Sequence, residues 1–170
     1  AANFLLERAK NNVGLILPGI APIRDTFGGK WLYQNTGKFK QLKAFMEEYH
    51  KTGAKLFIQL TAGFGRSMAV NDPMEKGYCN KALRVLAKPI LDVEYLCASA
   101  SPNPNRWSDK VPSRALTIKE IDEMIDAFAK TAKLCKEAGV DGIEIHAVHE
   151  GYLLDQFTMK YTNQRTDEYG

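Results

Sequence analysis

The sequence predicts an α/β fold, a parallel sheet covered by helices, and three recurrences carry that prediction. Each time, an amphipathic run passes through Gly or Asn into a short apolar run. Lys10-Asn11-Asn12 leads into Val13-Gly14-Leu15-Ile16-Leu17, and Lys51-Thr52-Gly53 leads into Lys55-Leu56-Phe57-Ile58-Gln59-Leu60. Lys136-Glu137-Ala138-Gly139 leads into residues 140–145. Continuous apolar runs suit strands buried on both faces, and helices between them are the crossovers that parallel pairing requires.

The chain opens inside an amphipathic run that reads as a helix. Phe39, Leu42, Phe45, Met46 and Tyr49 recur at helical spacing, and Gly53 supplies the stop. Thr117-Ile118-Lys119-Glu120 is a capping box, with Thr117 as N-cap and Glu120 reaching back. Ile121, Met124, Ile125, Phe128, Ala132 and Cys135 then form one apolar stripe, which Gly139 ends. Stripes of this kind build core.

Residues 61–116 break the rhythm. The segment is long for a strand–helix connection and carries Pro73, Pro89, Pro102, Pro104 and Pro112. Residues 83–86 and 91–96 read as short strands or turns, and Ser101-Pro102-Asn103-Pro104-Asn105-Arg106-Trp107 reads as a Pro-rich surface loop. An insertion after a strand C-terminus commonly serves as a lid or a pocket wall.

Composition excludes several classes. With 45% hydrophobic and 25% charged residues, the 170-residue chain is globular and of single-domain size. Its 23 Lys and Arg are scattered among 20 Asp and Glu for a net charge of +3, which gives nucleic acid no basic patch. No apolar run reaches membrane-spanning length, and no basic leader precedes an apolar core at the start, so neither membrane nor secretion is expected. Cys79, Cys97 and Cys135 form no C-x-x-C pair and are odd in number, which fits a reducing, cytoplasmic setting.

The chemistry concentrates in Asp141-Gly142-Ile143-Glu144-Ile145-His146-Ala147-Val148-His149-Glu150-Gly151-Tyr152. A buried strand runs into two histidines and a tyrosine, with a fresh helix behind. Strand C-termini are where parallel α/β folds gather catalytic groups. Two imidazoles can donate hydrogen bonds to a substrate oxygen, and a phenol can deliver a proton. A pair of ordinary strand-end histidines is the plain alternative. A metal site is a third reading, but His-x-x-His lacks the four-residue helical spacing of a zinc helix, and no Cys or Asp cluster adjoins it. No metal is expected.

Residues 143–146 with Gly151-Tyr152-Leu153-Leu154-Asp155-Gln156-Phe157 and residues 163–170 resemble the strand-4 signature of the Old Yellow Enzyme family, FMN-dependent (β/α)8 barrels. Phe57-Ile58-Gln59-Leu60 with Gly65-Arg66 resembles that family's strand-3 element, and the stretch from Gly14-Leu15-Ile16 to Gly19-Ile20-Ala21-Pro22 its strand-2 end. Within the family the chain resembles the clostridial NADH:flavin oxidoreductases, with their 2-enoate reductases and bile-acid and steroid enone enzymes. One departure stands out: Glu150 is one residue more than the common His-x-x-Asn/His-Gly-Tyr form.

The resemblance implies part of a (β/α)8 TIM barrel, about strands 2 to 4 with their helices and a long insertion after strand 3. Residues 1–170 would be a single partial FMN-binding domain, truncated at both ends of a longer protein. It implies reduction, or the reverse desaturation, of the C=C bond of an α,β-unsaturated carbonyl, with NADH or NADPH as electron donor. His146 and His149 would hold the substrate oxygen, and Tyr152 would protonate the α-carbon. Gln59 would bind the pyrimidine edge of FMN, and Gly19 would let backbone approach the flavin ring. Arg66 would shape the loop or contact flavin. A [4Fe-4S] cluster and FAD, where relatives carry them, would belong to regions outside these residues. The partner implied is a small-molecule enone, and a homo-oligomer stays open. Alternatives are another flavin-barrel oxidoreductase, such as an amine dehydrogenase, and a non-catalytic half-barrel fragment.

Overall fold

The computed structural model describes residues 2–149 and 151–170. Glu150, the additional residue of the strand-4 signature, lies outside the described residues. The chain forms two compact units.

The first unit comprises the N-terminal stretch to Ile23 together with Trp31–Thr61 and Ile125–Ile145, and it contains the sheet. Strand β3 (Lys55–Thr61) is its centre, and all its pairings are parallel. β4 (Gly142–Ile145) aligns with it from Phe57↔Gly142 to Leu60↔Ile145. β1 (Leu15–Ile16) pairs with Lys55 and Leu56, and β2 (Ala21–Pro22) with Leu60 and Thr61. Leu60 thus has Ala21 on one side and Ile145 on the other, so β2 and β4 flank β3 on opposite edges.

The first predicted strand differs from expectation. Residues 13–17 narrow to a two-residue β1, and a fourth strand, β2, follows. Leu15 and Ala21 are six residues apart, but their partners Lys55 and Leu60 are five apart. The surplus residue is taken up between them, where Pro18 and Gly19 interrupt the ladder as a bulge does.

Helices α1 (Ala2–Lys10) and α2 (Thr36–Tyr49) cover this sheet, with Ala9, Met46, Tyr49, Ala54 and Leu56 as the buried cluster. Gly53 (φ 79°) and Gly139 (φ 88°) end helical runs in the left-handed region, where a side chain would be strained. Asp141, just ahead of β4, accepts from the backbone N–H of Leu56 (3.0 Å), from His50 Nε2 (2.9 Å) and from Lys55 Nζ (3.0 Å). Burial pushes its carboxyl up, but these donors outweigh burial and bring it down to about 2.

Helix α6 (Ile118–Glu137) starts in the second unit and continues into the first. The expected capping box is formed: Glu120 N–H donates to Thr117 Oγ1 (3.2 Å) and Thr117 N–H to Glu120 Oε2 (2.9 Å). Burial raises the Glu120 carboxyl, but the Arg114 guanidinium and Thr117 pull it down to about 2. One stripe position moves. Ile125 is 53% exposed, while Ala127 and Thr131 are buried, because the helical repeat from Ile121 and Met124 runs through them.

The second unit comprises Arg24–Lys30, Ala62–Met124 and His146–Gly170. Residues 83–86 and 91–96, expected as strands or turns, are helical instead: α4 (Lys81–Ala87) and α5 (Val93–Leu96) follow α3 (Asp72–Cys79). The reason is local. Asn71, Asn80 and Asp92 each accept from backbone N–H groups of the following first turn, so all three are N-caps. Val93, Cys97 and Val111 form the buried cluster here, with Met68, Val70, Met74, Tyr78 and Leu91 packed on it.

The loop from Ser101 to Trp107 also departs from expectation. Pro102 and Pro104 are exposed, but Ser101, Asn103 and Asn105, which alternate with them, are buried. Asn103 Nδ2 donates to Ser99 Oγ, Ser101 O and Thr162 O, and Asn105 Oδ1 accepts from Trp107 and Ser108 N–H. Polar side chains that saturate the backbone let an irregular segment be buried. Arg165 adds to this, its Nη1 donating to Ala100 O (2.9 Å) and Leu116 O (2.7 Å) while Asp167 holds the guanidinium.

Candidate active site

β4 ends at Ile145, and His146 is the next residue. His146 is buried, and its Nδ1 has no hydrogen-bond partner among the described residues. His149 is exposed, and half-buried Tyr152 stands directly before α7 (Leu153–Thr158). The three rings form a close triangle in the second unit. Centroids are 5.3 Å apart for His146–His149, 5.4 Å for His146–Tyr152 and 5.1 Å for His149–Tyr152. The tyrosine ring also meets Phe64 edge to face at 4.8 Å.

Two residues without an assigned role in the sequence build the frame of this triangle. Buried Asp155 accepts through Oδ2 from the N–H groups of His149 and Gly151, both at 2.8 Å. Fully buried Gln156 donates through Nε2 to Phe64 O (2.9 Å) and Gly151 O (2.7 Å), and its Oε1 accepts from Arg66 N–H (3.2 Å). Ser67 Oγ donates to Gly151 O as well (2.9 Å). Gly65 lies against this amide at φ 55°, where a Cβ would overlap Gln156. Asp155 and Gln156 stand inside the quoted signature. What marks them is polarity in a short helix that buries them beside Leu153.

Arg66 Nε donates to Pro104 O at 2.9 Å, a contact within the second unit.

Gln59 and Gly19 belong to the first unit. Gln59 Nε2 donates to Glu144 Oε1 at 2.7 Å, and the two residues are register partners on β3 and β4. Gly19 is exposed, and among the described residues, its two chain neighbours aside, no atom lies within 4 Å of the place its Cβ would take. The fold itself does not require glycine there.

Among the described residues no group of three or more His, Cys, Asp or Glu is placed to hold a metal ion. No described helix is long and apolar enough to cross a membrane. The three cysteines are free, and burial pushes the Cys97 and Cys135 thiols up to about 11.

The family model described as NADH:flavin oxidoreductase / NADH oxidase matches residues 1–170. The chain belongs to that family. Over 179 residues it is 38% identical to a cinnamate reductase of Clostridium sporogenes, covering 98% of this chain and 23% of that protein. It is 47% identical over 170 residues to a metal reductase of Desulforamulus reducens, covering 98% of this chain and 22% of the relative. The crystal structure of Old Yellow Enzyme from Pichia superposes with a TM-score of 0.65 at 25% identity, covering 99% of this chain and 42% of that one. The chain therefore spans less than half the length of these relatives, and under a quarter of the two reductases. Its parallel sheet and helices are part of the family's (β/α)8 barrel, and the Old Yellow Enzyme resemblance holds.

Proposed function

We propose that the protein is an FMN-dependent oxidoreductase that reduces, or in reverse desaturates, the C=C bond of α,β-unsaturated carbonyl compounds with electrons from NAD(P)H. The convergence of two imidazoles and one phenol within 5.1–5.4 Å, directly after a strand C-terminus, carries this reading. The residues present suit the cofactor and substrate. Gln59 has an amide oxygen left to accept after its Nε2 has bonded Glu144, Gly19 has open space around it, and His146 Nδ1 is a buried polar atom without a hydrogen-bond partner among the described residues. Leaving such an atom unpaired costs about 1–3 kcal/mol, so a bound molecule that pairs it, directly or by reorienting the ring, gains affinity.

When bound, FMN supplies the hydride that NAD(P)H delivers to it. His146 and His149 then act as two N–H donors on the substrate carbonyl oxygen, where negative charge builds as the β-carbon accepts hydride. Tyr152 gives its phenolic proton to the α-carbon, so the C=C bond becomes C–C with one hydride and one proton added. Asp155 and Gln156 hold the turn that carries these groups. Gln59 binds the flavin pyrimidine edge, and Gly19 permits close backbone approach.

On this reading residues 1–170 form one partial FMN-binding domain of a longer protein, which acts on a small-molecule enone in the cytoplasm; the free cysteines fit that compartment. Purification of the full-length protein tests it. We expect a yellow protein that releases FMN on denaturation and is bleached anaerobically by NADH or NADPH. A colourless protein that FMN cannot reconstitute overturns the reading.

A further inference from the structure

We propose that Glu144 is a positioning residue that fixes which end of the Gln59 amide is offered to the flavin; the inference rests on the FMN reading above. Both residues lie in the first unit, on adjacent strands and in register. Gln59 Nε2 donates to Glu144 Oε1 at 2.7 Å, a short contact of the charge-assisted kind. A glutamine amide is nearly symmetric in shape, and either rotamer of its terminal group fits the same space. A carboxylate opposite it breaks that symmetry, because an ionised carboxylate accepts and has nothing to donate. Glu144 therefore holds Nε2 toward itself. It leaves Oε1 and the second Nε2 hydrogen for a ligand.

That is the pattern a flavin pyrimidine edge needs, since its ring N–H must meet an acceptor and its carbonyls a donor. The carboxylate also polarises the amide, which makes Oε1 a stronger acceptor. A stronger acceptor against the ring N–H keeps electron density in the oxidised ring and opposes uptake of electrons. Polar residues are out of place in the apolar runs of β3 and β4, and a pair of them at matched register answers for both.

The test is a double-mutant cycle on FMN affinity in the full-length protein, with Gln59→Ala, Glu144→Ala and the double variant, read by quenching of flavin fluorescence. Gln59→Ala should weaken FMN about tenfold and Glu144→Ala about three- to tenfold, each the size of one net hydrogen bond. The double variant should be no weaker than Gln59→Ala alone. Glu144→Gln preserves the shape where Glu144→Ala does not fold. It should raise the midpoint potential of bound FMN in the wild-type background and leave it unmoved in the Gln59→Ala background, which a merely structural role would not do. Additive losses in the cycle, or the same potential shift in both backgrounds, overturn the role of Glu144. A wild-type protein that binds no FMN removes the flavin reading itself, a distinct outcome.

Discussion

Asp155 Oδ2 accepts the backbone N–H of His149 at 2.8 Å, so the side chain of one helix residue fixes the main chain that carries a candidate substrate-binding imidazole. The same oxygen takes Gly151 N–H, so one carboxylate oxygen holds both backbone groups. Replacing Asp155 with Ala leaves two donors of this turn without their acceptor. We expect a stability loss of about 1–3 kcal/mol, and a fall in enone turnover with FMN affinity unchanged. Thermal unfolding and flavin titration separate the two effects.

His149→Ala removes one of the two donors proposed for the carbonyl oxygen. The loss of an oxyanion donor lowers rate by about 10²–10³. That loss should fall on oxidation of the reduced flavin by enone, with reduction of the flavin by NAD(P)H nearly untouched. Stopped-flow absorbance resolves the two half-reactions.

Tyr152→Phe keeps the ring on Phe64 and removes only the hydroxyl. Enone binding should persist while flavin reoxidation by enone slows about 10²–10⁴-fold, the usual size of a general-acid contribution. Unchanged turnover would mean that another group, or water, supplies the proton.

Gly65→Ala places a Cβ against the Gln156 amide at φ 55°. Both the overlap and the left-handed backbone oppose it, and about 1–3 kcal/mol of destabilisation is expected. Because Gln156 also holds Phe64 O and Gly151 O, activity should fall more than the melting shift alone explains.

Acid stability should report on Asp141. Its carboxyl is lowered in the folded state to about 2, so its contribution is full above the ordinary carboxylate pKa and is lost as pH falls through the folded value. Asp141→Asn should lower stability at neutral pH and flatten the loss between pH ~4 and ~2, measured by denaturant titration across pH.

The main elements were legible because the patterns that encode them are local. The runs into β3 and β4, the stripe of α2 and the Thr117–Glu120 capping box each sit in a few consecutive residues. What sequence reading missed depends on partners far away in the chain. Asn103 is buried because its amide reaches Thr162 O, 59 residues further on, as well as Ser99 Oγ and Ser101 O. α4 and α5 were hidden by their shortness, although Asn80 and Asp92 are ordinary capping residues. At the candidate site, His146, His149 and Tyr152 were readable as chemistry. Asp155, Gln156 and Glu144 were not, because a polar residue that holds another in place shows its purpose only when the partner is seen.

The most direct measurement mixes the anaerobically NAD(P)H-reduced full-length flavoprotein with an α,β-unsaturated carbonyl and follows the flavin's visible absorbance. The absorbance should return as a saturated carbonyl product forms, and His146→Ala/His149→Ala should slow this step without slowing reduction by NAD(P)H. A flavin that stays bleached with every enone offered until oxygen enters, or a double variant that reoxidises at the wild-type rate, would contradict it.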